Sequence, residues 1–113
     1  MSKLITDLIT YQQIIGTDLL TVVDFFAPWC GPCKIMDEYI KQIGKNYSGV
    51  VNFIKVNTDD ISMNRIVIDN DIKSLPTFIF YRSGVQVGQM IGANKIKFTQ
   101  LLDSYIRLSS QSN

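Results

Sequence analysis

Residues 23–34 read V-D-F-F-A-P-W-C-G-P-C-K, and the interpretation of the whole chain starts from them. The stretch begins inside residues 19–27, which are almost continuously apolar and β-branched or aromatic, as in a buried strand. It then passes through the turn residues Pro28 to Pro32 into a segment whose apolar side chains recur at helical spacing. A buried strand that leads through a short turn into a helix is a basic unit of α/β domains.

Apolar patterns on both sides of this stretch continue the alternation of strands and helices. They predict strands at residues 1–5, 19–27, 50–56, 77–81 and 85–91, and helices at residues 8–15, 33–44, 61–67 and 94–108. Asp59-Asp60 can cap the third helix, and Arg82-Ser83-Gly84 is predicted to form a tight turn between the last two strands. Strands that are joined through helices pair in parallel, and the closing hairpin adds an antiparallel edge. The order β-α-β-α-β-α-β-β-α therefore predicts an α/β fold with a mixed central sheet and helices on both faces. We expect one domain over residues 1–108 and a frayed polar tail over residues 109–113.

Length and composition exclude several classes of function. The chain has 113 residues, 46% hydrophobic and 19% charged, which suits one globular domain. Its formal net charge is +1 and its basic residues are scattered, so neither a nucleic-acid surface nor a polybasic membrane anchor is expected. No apolar run approaches the roughly 20 residues of a membrane span, and the first residues show no export signal. We therefore expect a cytoplasmic, reducing environment.

The counts of histidine and cysteine narrow the chemistry further. The chain has no histidine, so it cannot supply the general base of a Ser-His or Cys-His hydrolase. Its two cysteines fall short of the four Cys or His ligands of a structural zinc site. No G-x-G-x-x-G motif for a nucleotide is present. The sequence thus predicts neither a metal nor a cofactor.

The two cysteines, Cys30 and Cys33, stand where the buried strand gives way to a helix. Unpaired N–H groups and the macrodipole at a helix N-terminus stabilise a thiolate, which lowers the pKa of Cys30 and favours nucleophilic attack. Two intervening residues bring Cys33 back within one helical turn, close enough for a disulfide. Pro32 gives up an N–H that the first turn does not need, and Gly31 lets a partner chain approach. The pair can therefore cycle between dithiol and disulfide, with Cys30 attacking a substrate disulfide and Cys33 resolving the mixed disulfide.

Other interpretations of the cysteine pair are possible from the residues alone. The pair would supply half of a zinc or iron–sulfur site if a second copy or an external thiol gave the other ligands. A purely structural disulfide would constrain the unfolded chain little, because its loop spans only four residues. Two inert core thiols would fit poorly beside Gly-Pro in a turn.

The segment 23–34 resembles the active-site segment of the thioredoxin family nearly letter for letter. Ser74-Leu75-Pro76-Thr77-Phe78 resembles the family's cis-proline segment, and Gly92-Ala93 resembles its glycine loop. The resemblance implies a thioredoxin-like fold and a protein-disulfide reductase, most simply a monomer. Its partners would be protein disulfide substrates and a separate thioredoxin reductase as the electron source.

The resemblance also implies roles for three residues in addition to Cys30 and Cys33. Asp24 interrupts an apolar strand, so its pKa should rise, unless it points to a solvated sheet edge. In the family this position is a buried aspartate that relays a proton for the resolving cysteine. Lys55 would moderate the charge of Asp24, although a lone strand lysine is usually a solvated one. Pro76 would be cis and lie against the cysteines, although an ordinary strand-entry proline fits the local sequence too.

A docking surface for substrate proteins is implied around the cysteines. Trp29 directly precedes Cys30 in a turn, which favours a surface position over a core position. The residues expected on this surface are Trp29, Gly31, Pro32, Leu75, Thr77, Ile91, Gly92 and Ala93.

The chain also departs from the family pattern. Phe26 stands where a tryptophan is common, and Asp37-Glu38 stands where many members carry a helix-kinking proline. Asn70-Asp71 replaces the usual Tyr-Gly, so the exit from the third helix should differ. Two other functions stay open: an oxidase or isomerase, although Gly-Pro between the cysteines is typical of reducing members, and a subunit that docks a partner enzyme whatever its redox state.

Overall fold

In a computed structural model, which describes residues 2–111, five strands form one mixed sheet between helices. The strands are β1 Lys3–Leu4, β2 Leu20–Phe26, β3 Val51–Asn57, β4 Thr77–Arg82 and β5 Val85–Ile91. The α-helices are α1 Leu8–Ile15, α2 Gly31–Gly44, α3 Asn64–Asp69 and α4 Lys95–Gln111. Short 3₁₀ turns at Lys45–Tyr47 and Ile61–Met63 follow α2 and precede α3. None of the helices within residues 2–111 combines the length and the apolarity that crossing a bilayer requires.

The order of strands across the sheet is β1-β3-β2-β4-β5. The β3 strand pairs in parallel with β1 and β2, whereas β4 is antiparallel to both β2 and β5. The predicted mixed sheet with an antiparallel closing hairpin is therefore confirmed. The long β2 strand lies at the centre, so the turn that follows it emerges from the middle of one edge of the sheet.

Side chains of β2 alternate between the two faces of the sheet, as the pleat of a strand requires. Leu20 and Val22 lie in the apolar cluster that α2 and α4 cover, together with Met36 and Phe98. Val23 lies on the opposite face, in the cluster that α1 and α3 cover. Asp24 belongs to the same series as Leu20 and Val22, so its carboxyl group lies on the α2 side.

A tight turn closes the hairpin of β4 and β5. Ser83 and Gly84 both have positive φ, at 52° and 79°. Two successive residues with positive φ form the kind of turn whose twist matches that of the flanking strands. The turn predicted at Arg82-Ser83-Gly84 is thereby confirmed.

The last helix, α4, covers the face of the sheet that carries Asp24. Asn94 caps it by accepting a hydrogen bond from the Lys97 N–H at 3.0 Å. Phe98 is fully buried, and its ring centroid lies 5.0 Å from that of Phe78 on β4. Tyr105 packs so closely over Gly88 on β5 that a Cβ atom at Gly88 would overlap its ring.

Two predicted helices need correction: the third starts at residue 61 as predicted, but its first turn is 3₁₀ and it ends at Asp69 instead of residue 67, and the fourth ends later than predicted. The third helical segment begins as a 3₁₀ turn that Asp60 alone caps, because its carboxylate accepts from the Ser62 N–H at 3.0 Å. The α4 helix continues to Gln111, whereas the sequence predicts its end near Leu108 and a frayed tail beyond. No glycine or proline follows Leu108 to stop the helix. The last two residues of the predicted tail, 112 and 113, lie outside the described residues.

Candidate active site

The cysteine pair forms the junction between β2 and α2. Cys30 is the N-cap of α2, with extended backbone angles, and its Sγ accepts a hydrogen bond from the Cys33 N–H at 3.2 Å. A disulfide joins the two residues, whose Cα atoms are 5.3 Å apart. The predicted position of Cys30 at a helix N-terminus is therefore confirmed. The same N–H that bonds to Sγ in this state would stabilise a Cys30 thiolate after reduction.

The two sulfur-bearing residues border different spaces. Cys30 is only 5% exposed, but it lines an open groove of about 430 Å³. Cys33 is more deeply buried and lines a separate, smaller cleft of about 180 Å³. Asp24, Asp37 and Lys55 line the same cleft. A partner in the groove therefore meets Cys30, while Cys33 faces charged groups of this chain.

The groove matches part of the predicted docking surface. Four predicted residues line it, namely Trp29, Gly31, Pro32 and Leu75. Sequence reasoning missed Thr58, Ile72 and Lys73, which also line it. They come from the segments after β3 and after α3, and no local pattern marks them as surface residues of a site. Only the close approach of these loops in the fold brings them beside the cysteines.

The remaining predicted docking residues do not line the groove. Ile91 and Ala93 are exposed and Gly92 is half-buried, so this segment lies at the molecular surface. Thr77 is buried, so its place on the docking surface needs correction. Its hydroxyl donates to the Ser74 carbonyl at 2.6 Å, and that bond holds the bend before β4.

Pro76 lies next to this segment, and its peptide bond to Leu75 is cis, as the resemblance implies. The Gly92 N–H donates to the Pro76 carbonyl at 2.9 Å. Gly92 has a φ of 99°, which few residues other than glycine adopt. Leu75 in turn packs against the buried cluster of Ala27, Cys30 and Cys33. The bond to Gly92 thus fastens the loop before β4 to the loop after β5.

Trp29 stands exposed at the edge of the groove, with 71% of its surface accessible. Its indole Nε1–H donates to Asp59 Oδ2 at 2.9 Å, which fixes the orientation of the ring. The sequence predicts that Asp59 helps to cap the third helix, but its side chain serves Trp29 instead. The surface position of Trp29 is confirmed, and Asp59 is a site residue that local sequence did not reveal.

Asp24 is buried at 2% exposure, which rules out the solvated sheet edge. Its Oδ1 has no hydrogen-bond partner in the described chain. Burial raises the pKa of Asp24 to about 7, while the Lys55 ammonium opposes the rise and the Asp37 carboxylate adds to it. A carboxyl group with such a pKa accepts and releases protons near neutral pH.

Lys55 is the direct neighbour of Asp24 in the sheet, because the two are paired in the register of β2 and β3. Its ammonium nevertheless points to Asp37 of α2, with Nζ 3.0 Å from Oδ1. It also lies 4.6 Å from the centroid of the Phe26 ring. Burial alone would raise the pKa of Asp37, and the ammoniums of Lys55 and Lys41 together lower it below its usual value. Asp37 was not among the predicted site residues.

The sequence and the fold both have clear relatives among known proteins. Residues 3–104 match the family model described as Thioredoxin. The chain is 39% identical over 107 residues to thioredoxin of Mus musculus, which covers 93% of this chain and 99% of the relative. It is 38% identical over 105 residues to thioredoxin 1 of Plasmodium falciparum, with 93% and 98% covered. The solved thioredoxin of Trypanosoma brucei brucei superposes with a TM-score of 0.87 at 34% identity, covering 95% of this chain and 92% of that one. With its Cys30–Cys33 disulfide at the N-terminus of α2, the chain belongs to the thioredoxin family and is a protein dithiol–disulfide oxidoreductase.

Proposed function

We propose that this chain works in the reducing direction, as a general donor of electrons to disulfides of other proteins. The observation that carries the proposal is the Cys30–Cys33 pair at the N-terminus of α2, with Cys30 bordering an open groove. The Gly-Pro dipeptide between the cysteines, typical of reducing members, supports the same direction.

The first chemical step uses Cys30. In the reduced protein the Cys30 thiolate attacks one sulfur of the substrate disulfide. A bond forms between Cys30 and that sulfur, the substrate's S–S bond breaks, and the other substrate sulfur leaves as a thiolate. The helix N-terminus supports this step because its free N–H groups stabilise the attacking thiolate.

The second step uses Cys33 and Asp24. The Cys33 thiol gives its proton to the Asp24 carboxylate across their shared cleft, through water where the two do not touch. The Cys33 thiolate then attacks Cys30 Sγ, the Cys30–Cys33 disulfide forms, and the mixed disulfide breaks to release the second substrate thiolate. The two electrons that reduce the substrate come from the two cysteine thiols. Lys55 moderates the charge of Asp24 from the neighbouring strand.

Docking of the substrate involves the groove and its rim. An extended substrate segment lies along Leu75 and the cis Pro76, where backbone groups of Leu75 bond to it as a neighbouring strand would. Trp29, Gly31 and Pro32 contact the substrate from the cysteine side, and Ile91, Gly92 and Ala93 extend the surface beyond Pro76.

Electrons return from a separate thioredoxin reductase. The chain has no glycine motif for a nucleotide, so it depends on a partner for hydride-derived electrons. Such a partner works in a reducing compartment, so we place the protein in the cytoplasm. We also propose that it acts as a monomer. Cell fractionation and sedimentation test these two points, and enrichment in another compartment or a stable dimer would contradict them.

Two serine variants test the chemical roles of the cysteines. Cys30→Ser should lose reduction of insulin disulfides by dithiothreitol-fed protein, because the remaining thiol, Cys33, does not line the groove where the substrate docks. Cys33→Ser should accumulate a mixed disulfide on Cys30 that is visible on non-reducing gels and disappears with excess dithiothreitol. If Cys30→Ser keeps turnover, or if Cys33→Ser traps no substrate, the assignment of the two roles is wrong.

The direction of electron flow is tested by the equilibrium potential of the pair. Trp29 adjoins the disulfide and is the only tryptophan, so its fluorescence should follow a titration with glutathione or dithiothreitol buffers. A potential near thioredoxin's, about −270 mV, supports an electron donor. A potential near about −120 to −180 mV would instead assign the chain to oxidase or isomerase work.

A further inference from the structure

The ammonium of Lys55 pairs with a different carboxylate from the one that the strand register places beside it. Lys55 and Asp24 face each other on adjacent parallel strands, so an ion pair between them would be the simplest arrangement. The Lys55 ammonium instead pairs with Asp37 at 3.0 Å. Within the described chain Asp24 has no ion pair, and its Oδ1 has no hydrogen-bond donor.

Asp37 reaches this position because of where it lies on α2. It follows Cys33 by four residues, so both side chains lie on the same face of the helix and border the same cleft. One carboxylate oxygen bonds to Lys55, and the other lies 3.3 Å from Lys41 Nζ, one further turn along. The side chains of Asp37 and Lys55 are both about one-quarter exposed or less, so water screens their pairing only in part.

We propose that Asp37 is a positioning residue for disulfide exchange at Cys33: by holding the Lys55 ammonium in an ion pair, it keeps Asp24 free to accept the Cys33 proton. The inference rests on the proposed role of Asp24 as that acceptor. Asp37 itself touches neither the cysteines' reacting atoms nor the groove, so it acts through Lys55.

Two electrostatic effects of Asp37 have the same sign at Asp24. Its negative charge disfavours a second carboxylate nearby, and its ion pair keeps a cation from neutralising Asp24 directly. Among the described residues, the charged and titratable groups that share the cleft with Asp24 are Lys55 from β3 and Cys33, Lys34 and Asp37 from α2, and Lys41 pairs with Asp37 one turn further along the helix. An Asp24 paired with Lys55 would stay ionised over a wider range of pH and would be a weaker base toward the Cys33 thiol.

The first test measures the titration of Asp24 itself. In the oxidised protein, carbon-13 NMR of the Asp24 carboxyl gives its titration midpoint without any contribution from cysteine thiols. We expect Asp37→Asn to move this midpoint to lower pH by at least about 0.5 unit, because Lys55 is then released toward Asp24. The matched control is Glu38→Gln, which removes an adjacent charge that also lies near Lys41 but does not contact Lys55.

The second test asks whether the effect passes through Lys55. Asp37→Glu keeps the charge and should restore a midpoint close to that of the unaltered protein. In a Lys55→Met background, Asp37→Asn should shift the midpoint by less than half as much, because the cation that it releases is gone. Equal shifts with and without Lys55 would overturn the proposed route.

The outcome for catalysis is measured separately. A rapid-mixing assay of mixed-disulfide resolution should show that the pH profile of Asp37→Asn moves to lower pH, in the same direction as the Asp24 midpoint, and that resolution is slower than in the unaltered protein above about pH 8, where Asp24 is ionised in both proteins. The inference is wrong if Asp37→Asn leaves the midpoint unmoved or if Glu38→Gln moves it equally. If Asp24→Asn resolves at the unaltered rate, the proposed role of Asp24 fails instead, and the midpoint measurement shows which of the two has failed.

Discussion

At the scale of a single residue, the burial of Asp24 conflicts with its proposed role as a proton acceptor. Its place in β2 buries it among apolar side chains, yet its proposed task requires an ionised form that can accept a proton. Burial makes the ionised form costly, which is why its pKa rises to about 7. The fold therefore carries a group whose free-energy cost depends on pH in the neutral range.

This cost predicts the stability of Asp24→Asn. The folded pKa of Asp24, about 7, lies above the ordinary aspartate value of 3.8, so the group favours folding most below 3.8 and loses that contribution as the pH rises from 3.8 through 7. Asparagine cannot ionise, so the variant should be more stable than the unaltered protein at pH 8, by up to about 4 kcal/mol, and far less so at pH 4. Urea unfolding at both pH values measures the difference. Glu38→Gln, on an exposed residue, should show no such pH dependence, and a pH-independent gain in Asp24→Asn would contradict the argument.

Some residues of the site could be predicted from the sequence and others could not. Asp24 was predictable because a carboxylate inside an apolar strand demands an explanation, and Cys30 and Cys33 because of their spacing before a helix. Asp37 and Asp59 were not, because each lies in a segment where a charged residue is ordinary. Their roles depend on the distance from α2 to β3 and from the turn to the 3₁₀ segment, which no local pattern contains.

At the scale of elements, the exit from α3 carries an unusual backbone conformation. Asp71 has a φ of 53°, in the left-handed region where side chains other than glycine, asparagine and aspartate are disfavoured. It occupies the position where the family usually has glycine, a residue that adopts this region without steric cost.

The conformation of Asp71 predicts the relative stability of two variants. Asp71→Gly and Asp71→Ala both remove the exposed ion pair with Lys73, so their difference isolates the backbone. We expect Asp71→Gly to be more stable than Asp71→Ala by about 1 kcal/mol, because only alanine places a Cβ in the left-handed region. Urea unfolding of the two proteins measures this difference. Equal stabilities would mean that the loop relaxes to a different φ.

The α4 helix offers a prediction about packing. Phe98 is fully buried against Phe78 and Phe80, so Phe98→Ala should destabilise the protein by about 3–5 kcal/mol. Ile96 lies two residues earlier on the same helix but is 74% exposed, so Ile96→Ala should change the free energy of unfolding by less than about 0.5 kcal/mol. Thermal or urea unfolding of both variants provides the comparison, and similar losses in the two would contradict the packing described.

The helices and strands themselves follow closely from periodicity and turn residues. The apolar run of β2 and the helical spacing of α2 were sufficient to place both elements and the junction between them. Periodicity does not show which of two neighbouring residues caps a helix, as with Asp59 and Asp60 before α3. The end of α4 was misplaced because its polar last turn resembles a tail in composition, although no glycine or proline follows Leu108 as a stop signal.

At the scale of the whole molecule, the disulfide changes the stability of the fold between redox states. The Cys30–Cys33 bond closes a short loop, so it restricts the unfolded chain modestly, and reduction should lower the free energy of unfolding by about 2 kcal/mol. Urea unfolding with and without dithiothreitol measures the loss. A Cys30→Ser, Cys33→Ser double variant should not respond to dithiothreitol, and a reduced form as stable as the oxidised form would contradict the expectation.

The architecture also sets the order in which a growing chain completes its parts. The cluster under α2 combines Met36 and Ile40 with Phe98 and Leu102 of α4, so synthesis must reach Leu102 before that packing exists. The cysteines, at positions 30 and 33, are synthesised much earlier, before α4 is available to pack against α2. On the ribosome the thiols are therefore present well before the layer of side chains between α2 and α4 can form.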